Sequence, residues 1–302
     1  MKTILCAVDY STNAIAALKY AEALSSKINS KLNVLHVYDN LTLGSTVNDT
    51  HLLPKKELKK EKLFKLKNFC RQHLGNKTDP KNIEIEVVEN VSVVEGINIQ
   101  AKRTKASLIF TGMKGKGKLK SFFMGSTTKE LISNAPCPVF SIPEKYVLKH
   151  LKTIVYATAF EQQDIYAVAK LSEIASVFDA TIKVIHISPL SEKDGTTQME
   201  WFKEMLLQRV NYDKIDFNIY SSNDTIYFLR LYLIEVKADM VAMLERNNIK
   251  TFFNKIFQND LVKEMETLAL LPLISFNEKN FKKNNGEIAL KQELSLKKLN
   301  LL

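Results

Sequence analysis

The segment KTILCAV at residues 2–8 returns as KTIVYAT at residues 152–158, a spacing of 150 positions. The same spacing carries VLHV at residues 34–37 onto VIHI at residues 184–187. Similarity at a fixed offset indicates a duplicated structural unit. We therefore divide the chain into a first unit, a second unit and a basic C-terminal tail, which are residues 1–146, 147–277 and 278–302.

Within the first unit, short apolar runs alternate with stretches of helical periodicity. Ser11 is a suitable N-cap for the first helix, and Pro54 suits the first turn of a second helix that ends near Leu74. The pattern predicts five strands, at residues 4–8, 32–37, 83–88, 108–111 and 139–142, and two further helices, at residues 93–105 and 127–134. The second unit repeats this order. Such alternation predicts an α/β fold of two tandem five-stranded parallel-sheet domains with helices on both faces.

The composition excludes several classes of protein. Hydrophobic residues make up 45 % and charged residues 25 %, which is ordinary for a globular chain. The apolar runs are far shorter than the about 20 residues of a bilayer span, and Asp9 comes too early for a secretory signal. Three cysteines are too few for a disulfide framework, so we expect buried thiols in a reducing compartment. We expect a cytoplasmic protein that does not engage a membrane.

The basic excess belongs to the first unit. Residues 1–150 hold 24 Lys and Arg against 13 Asp and Glu, whereas residues 151–277 hold 13 against 17. One cluster, residues 55–67, reads as the solvated face of an amphipathic helix. No helix-turn-helix, zinc-finger or RNA-recognition pattern accompanies the charge, so we do not expect nucleic acid as a partner. His36 and His186 fall on strands without metal-ligand spacing, and we expect them in or near the core.

Glycine concentrates at one place in the chain. Four of the nine glycines lie between residues 112 and 125, in TGMKGKGK at 111–118 and GSTT at 125–128. Glycines let a backbone approach a phosphate, and the amino end of a helix favours an anion. Three hydroxyl donors follow Gly125, which are Ser126, Thr127 and Thr128. The stretch follows the carboxyl end of a strand, where open α/β sheets place ligands, and we interpret it as a phosphate-binding site.

In this glycine stretch and in its first strand, the sequence resembles the universal stress protein family, in its ATP-binding branch. The pattern Gly112-x2-Gly115-x9-Gly125-Ser126 is similar to the family's nucleotide-binding motif, and ILCAVDYS at residues 4–11 is similar to its first strand and turn. The resemblance covers the first unit directly and the second through the repeat. It implies an open twisted sheet of the adenine-nucleotide α-hydrolase type.

The resemblance also implies a ligand and its contacts. The ligand is ATP, with Mg²⁺ bound through the phosphates. Ala7, Val8 and Asp9 are expected to lie against the adenosine, and Val37 is expected to line the adenine pocket. The ribose and phosphates are expected to be wrapped by the glycine motif and its neighbours, which are Gly112, Met113, Lys114, Gly115, Gly125, Ser126 and Thr127; we add Thr128 as a hydroxyl donor.

The second unit lacks this motif. No glycine occurs between Gly195 and Gly286, residues 244–250 read LERNNIK, and Asn259-Asp260 stands where Gly125-Ser126 stands in the first unit. We therefore expect nucleotide in the first unit alone. The second unit is interpreted as a built-in partner, because the family dimerises through the last strand and residues 271–276 could pair with residues 139–142 in one chain. A homodimer remains open.

Three functions remain open. The first is an ATP-binding stress-response regulator whose association with an unknown protein partner depends on nucleotide. The second is a slow ATPase or autophosphorylating enzyme, against which we find no base beside the glycine stretch and therefore no catalytic residue. The third is a ligand-free interaction module.

Overall fold

The computed structural model of the protein describes residues 2–39, 54–75, 82–113, 125–144, 151–190, 195–245 and 271–281. The strands of the first unit are β1 (Thr3–Ala7), β2 (Lys31–Tyr38), β3 (Ile83–Glu89), β4 (Ala106–Met113) and β5 (Val139–Pro143). Its helices are α1 (Thr12–Lys27), α2 (Lys55–Leu74), α3 (Val93–Arg103) and α4 (Ser126–Asn134). The second unit contributes β6 (Thr153–Ala157), α5 (Gln162–Phe178), β7 (Thr181–Ser188), α6 (Thr196–Leu207), β8 (Ile215–Ser221), α7 (Thr225–Glu235), β9 (Met240–Glu245) and β10 (Leu273–Asn277).

The ten strands of the described residues form one sheet, in the order β3-β2-β1-β4-β5-β10-β9-β6-β7-β8. Neighbouring strands within each unit are parallel, which confirms the α/β class, and the two five-stranded halves meet where β5 and β10 pair antiparallel. The central pair of that ladder joins Phe140 to Ile274. These two residues occupy the same position in their units, because Val139 lies beside Ile109 and Leu273 lies beside Val241 on the preceding strand. The two units are therefore related by a local two-fold axis through the middle of the sheet.

The duplication extends to unusual backbone conformations. Among the described residues, six that are not glycine have positive φ angles between 50° and 65°. They form three pairs of matching positions, namely Tyr10 with Phe160, Asn29 with Asp179 and Lys105 with Lys237. A left-handed conformation costs an ordinary residue about 1–2 kcal/mol. The shared strain shows that both units use the same turns.

Helices α1 and α2 begin within one residue of the positions that the sequence predicts. The Ser11 hydroxyl accepts a hydrogen bond from the Ala14 N–H at 3.2 Å and caps α1, which confirms the predicted N-cap. Pro54 occupies the N-cap position of α2 rather than its first turn, and the helix begins at Lys55. The carbonyl of Pro54 still accepts the first helical hydrogen bonds, so the boundary moves by one residue.

Helices cover both faces of the sheet. One core cluster contains residues of α1, α2, α5 and α6, and the other contains residues of α3, α4 and α7. The three cysteines are free and buried; burial raises the pKa of each thiol, to about 12 for Cys70 and Cys137. Within the described ranges, no helix is both long and apolar enough to cross a bilayer.

Candidate functional site

A cavity of about 320 Å³ opens at the carboxyl edge of the first unit's strands. Nine of the predicted site residues line it: Ala7, Val8, Asp9, Val37, Gly112, Gly125, Ser126, Thr127 and Thr128. Met113 is not among the lining residues, because its side chain is buried in the core cluster on the α3 and α4 face. Lys114 and Gly115 lie outside the described residues. The structure therefore brings together residues from three strands and the amino end of α4.

One end of the cavity is apolar. Leu35 and Val37 of β2 and Val93 and Ile97 of α3 line it. Helix α3 packs very closely on β2 at Gly96, where an added Cβ would lie 2.8 Å from Val37 Cγ1. Sequence reasoning missed Val93 and Ile97, because their helical spacing indicates only a buried face and not what that face covers. This end of the cavity can hold a flat apolar group.

Gly112 is required by the approach of another backbone. An added Cβ at this position would lie 2.6 Å from the carbonyl carbon of Asn13 and 2.9 Å from the Ala14 nitrogen. From the sequence, the glycines are expected to let the backbone approach a phosphate. At Gly112 the physical reason differs, because only a residue without Cβ lets the start of α1 lie against β4. Asn13 itself lines the cavity and is buried.

The other end of the cavity is the amino end of α4. Its N-cap residue, Gly125, provides no side-chain cap for the first-turn N–H groups. The Thr128 hydroxyl donates a hydrogen bond to the Gly112 carbonyl at 3.3 Å, so this side chain ties α4 to β4. Ser126 is exposed and Thr127 half-buried at the opening. The first turn of α4 thus presents N–H groups and hydroxyls to an anion.

The turn after β1 is ordered by its own side chains. One Asp9 oxygen accepts hydrogen bonds from the N–H of Ser11 at 3.0 Å and from its hydroxyl at 2.5 Å. His36 lines the cavity and packs against the Tyr10 ring with centroids 4.5 Å apart. Its Nδ1 lies 2.9 Å from the Val8 carbonyl, which only accepts, so Nδ1 carries the proton. Burial lowers the pKa of His36, and the nearby Lys62 and Lys65 lower it further against the opposing effect of the Val8 hydrogen bond.

Comparison with known proteins matches the first unit to one family. Residues 1–143 match the model of the universal stress protein family. The first unit belongs to this family. A universal stress protein of Thermus aquaticus is 29 % identical over 143 residues, which are 47 % of this chain and 98 % of that protein. The predicted family is therefore confirmed for the unit that carries the cavity.

Solved structures match the whole chain. A universal stress protein from Archaeoglobus fulgidus superposes with a TM-score of 0.68 and 17 % identity, over 91 % of this chain and 98 % of that one. A functionally unknown protein from Pseudomonas aeruginosa gives a TM-score of 0.59 and 16 % identity, over 96 % and 98 % of the two chains. At these identities the likeness concerns the fold. The chain thus has the tandem arrangement of the universal stress protein fold.

The second unit differs from the first at a position that lines the cavity, Gly112. The strand ladders place Phe110 beside Cys6 and Ala242 beside Tyr156, so Leu244 is the counterpart of Gly112. Leu244 is buried. The other predicted differences, at residues 246–250 and at Asn259 and Asp260, lie outside the described residues. Leu244 belongs to the core cluster on the α5 face, whereas at Gly112 the backbone of α1 takes the place of a side chain.

A carboxylate closes the turn after β6. Asp164 is fully buried, and one of its oxygens accepts hydrogen bonds from the N–H groups of Ala159 at 3.3 Å and Glu161 at 3.1 Å. Its other oxygen accepts from the Tyr156 hydroxyl at 2.7 Å. The counterpart of Asp164 in the first unit is Ala14, which has no polar side chain. A carboxylate therefore binds the N–H at the start of the helix in both units, Asp9 that of Ser11 and Asp164 that of Glu161.

Proposed function

We propose that this tandem universal stress protein binds ATP in its first unit and acts as a cytoplasmic stress-response regulator, whose association with a protein partner depends on the nucleotide. The observation that carries the proposal is the cavity between the apolar pocket under α3 and the amino end of α4, whose N-cap residue Gly125 has no capping side chain. These two ends suit the two ends of one ligand, an apolar base and an anionic phosphate chain.

Mg²⁺ would reach the site bound to the phosphates of the nucleotide. Among the described residues, no group of three or more His, Cys, Asp or Glu side chains is arranged to hold a metal ion. Mg²⁺ commonly binds through substrate phosphates and retains several waters. The fit of the residues therefore supports a metal that arrives with the nucleotide, its charge balancing phosphates held by Ser126, Thr127 and the α4 amides.

The arrangement favours binding over hydrolysis. Asp9 is the carboxylate that lines the described cavity, and it lies after β1 with one oxygen engaged by Ser11. His36 presents Nδ1 to the Val8 carbonyl. A general base must reach the attacking water near the phosphates. Asp9 lies in the turn after β1 and His36 lies on β2, rather than at the amino end of α4. We therefore propose a nucleotide-dependent regulator rather than an enzyme.

The second unit is proposed as a partner without nucleotide. It lacks the glycine motif that the first unit offers to the ligand, and Leu244 takes the position of Gly112. The β5–β10 ladder joins the two units within one chain, along the ranges 139–142 and 271–276 that the sequence suggested for this pairing. A homodimer of the whole chain would require a different surface.

The test is a calorimetric titration of ATP and Mg²⁺ into nucleotide-stripped protein. We expect one site per chain, and we expect Gly125→Val to abolish binding by placing a branched side chain at the opening. Gly195→Val is the matched control, since Gly195 is the N-cap of α6 in the second unit. Two sites per chain would contradict the proposed silence of the second unit. Absence of binding at millimolar ATP would refute the proposed function, and phosphate release in step with binding would identify an ATPase.

A further inference from the structure

The carboxyl end of α4 is capped by the second unit. The side-chain amide of Asn277, the last residue of β10, donates hydrogen bonds to the carbonyls of Ser133 at 2.5 Å and Ile132 at 3.2 Å. Asn277 is buried, and its amide oxygen accepts from the N–H of Lys279 at 2.9 Å, which fixes the orientation of the amide. Carbonyls at the end of a helix have no partner within the helix. Asn277 therefore satisfies two of them across the boundary between the units.

Two neighbours of Asn277 extend this cap. The Asn280 amide donates to the Ala135 carbonyl at 3.1 Å, and the Lys279 ammonium lies 3.4 Å from the Ser133 carbonyl. A cation and amide donors at this end complement the negative end of the helix dipole. The first unit thus provides the helix, and the second provides the groups that hold its end.

Among the described residues, this cap runs from the second unit to the first. Because β5 and β10 pair about Phe140 and Ile274, the position of Asn277 in the first unit is occupied by Pro143. Proline has no side-chain amide and cannot offer the same cap to the second unit. Two identical first units joined through β5 would therefore lack this contact. The contact therefore depends on the difference between Asn277 and Pro143 at matching positions of the two units.

We propose that Asn277 and Asn280 are positioning residues for the nucleotide site of the first unit, and that they act through α4. The inference rests on the proposed function. Helix α4 has only nine residues, a length of about 13 Å, and its amino end lines the cavity while its carboxyl end is held by the second unit. Holding one end of so short a rigid element fixes the other, so the second unit sets the place and direction of the α4 amides.

The proposal is tested with Asn277→Ala and the milder Asn280→Ala in the full chain. We expect the dissociation constant for ATP and Mg²⁺ to rise roughly three- to tenfold for Asn277→Ala and less for Asn280→Ala. Ser275→Ala is the matched control, because Ser275 is buried on the same strand and its hydroxyl has no hydrogen-bond partner among the described residues. If both asparagine variants bind ATP as the control does, at a temperature where all are folded, the proposal is overturned.

Hydrogen exchange separates this inference from the proposed function. The Lys129 N–H bonds to the Gly125 carbonyl in the first turn of α4, and we expect Asn277→Ala to accelerate its exchange relative to Ser275→Ala in protein without nucleotide. If the wild-type chain bound no ATP, the proposed function would fail, and this exchange rate would still decide whether the second unit braces α4. Unchanged exchange at Lys129 would overturn the brace even if ATP bound.

Discussion

Replacing Gly112 by alanine tests the packing that shapes the cavity. The new Cβ would lie 2.6 Å from the carbonyl carbon of Asn13, 2.7 Å from its Cβ and 2.9 Å from the nitrogen of Ala14. Optimal separations between such atoms are about 3.5–4.0 Å. Two of the three atoms belong to the backbone at the start of α1, so no rotamer change relieves the overlap, and α1 must move away from β4.

The magnitude follows from the cost of overpacking. Extra atoms in a well-packed core lower the free energy of unfolding by about 1–3 kcal/mol. Because the new Cβ overlaps the backbone of a buried helix, we expect Gly112→Ala to lower it by about 2 kcal/mol. For a unit of this size, that cost lowers the melting temperature by about 4–8 °C. We also expect weaker nucleotide binding, because Gly112 and Asn13 both line the cavity.

The assay is urea unfolding of Gly112→Ala beside Gly195→Ala, followed by ATP titration. An added Cβ at Gly195 meets its nearest atom, His186 Cδ2, at 3.6 Å, which is ordinary contact. The control therefore carries only the cost of alanine at an N-cap, on the order of 0.5 kcal/mol. If Gly112→Ala proved no less stable than Gly195→Ala, the proposed role of the close approach between α1 and β4 would be wrong.

Three further measurements address other parts of the molecule. Thr128→Val removes the hydrogen bond to the Gly112 carbonyl and should lower the free energy of unfolding by about 1 kcal/mol; an unchanged urea midpoint would contradict this. Burial lowers the pKa of His36 from 6.5, so its contribution to stability is complete above pH 6.5 and is lost as the pH falls through the lower pKa of the folded state. We expect His36→Gln to flatten the fall in melting temperature between pH 7 and 5, leaving the part due to His73, whose pKa burial also lowers; equal slopes would refute the assignment. Asp164→Asn should destabilise the chain by roughly 1–3 kcal/mol, because one donor loses its acceptor. It should leave one ATP site per chain, because the second unit still lacks the glycine motif; a second site in calorimetry would contradict this.

The sequence predicted the elements well because their signals are local. Strand and helix periods, the Ser11 cap and the break before Lys55 depend on residues a few positions apart, and the structure has them within one or two residues. The glycine spacing likewise marked the edge of the sheet where the cavity lies. The repeat at 150 residues predicted that the second unit has the same order of strands and helices as the first.

Tertiary structure decided the rest, because those features join residues far apart in the chain. Gly112 is required by the backbone at Asn13, and no local pattern indicates which helix will approach a given strand. Thr128 lines the cavity as predicted, and its hydroxyl also ties α4 to β4, which no local pattern indicates. The amide of Asn277 reaches Ile132, 145 positions earlier in the chain. The sequence by itself determined two copies of one α/β unit and one glycine motif, whereas only the packing of the two copies about Phe140 and Ile274 determined that the second holds the helix of the first.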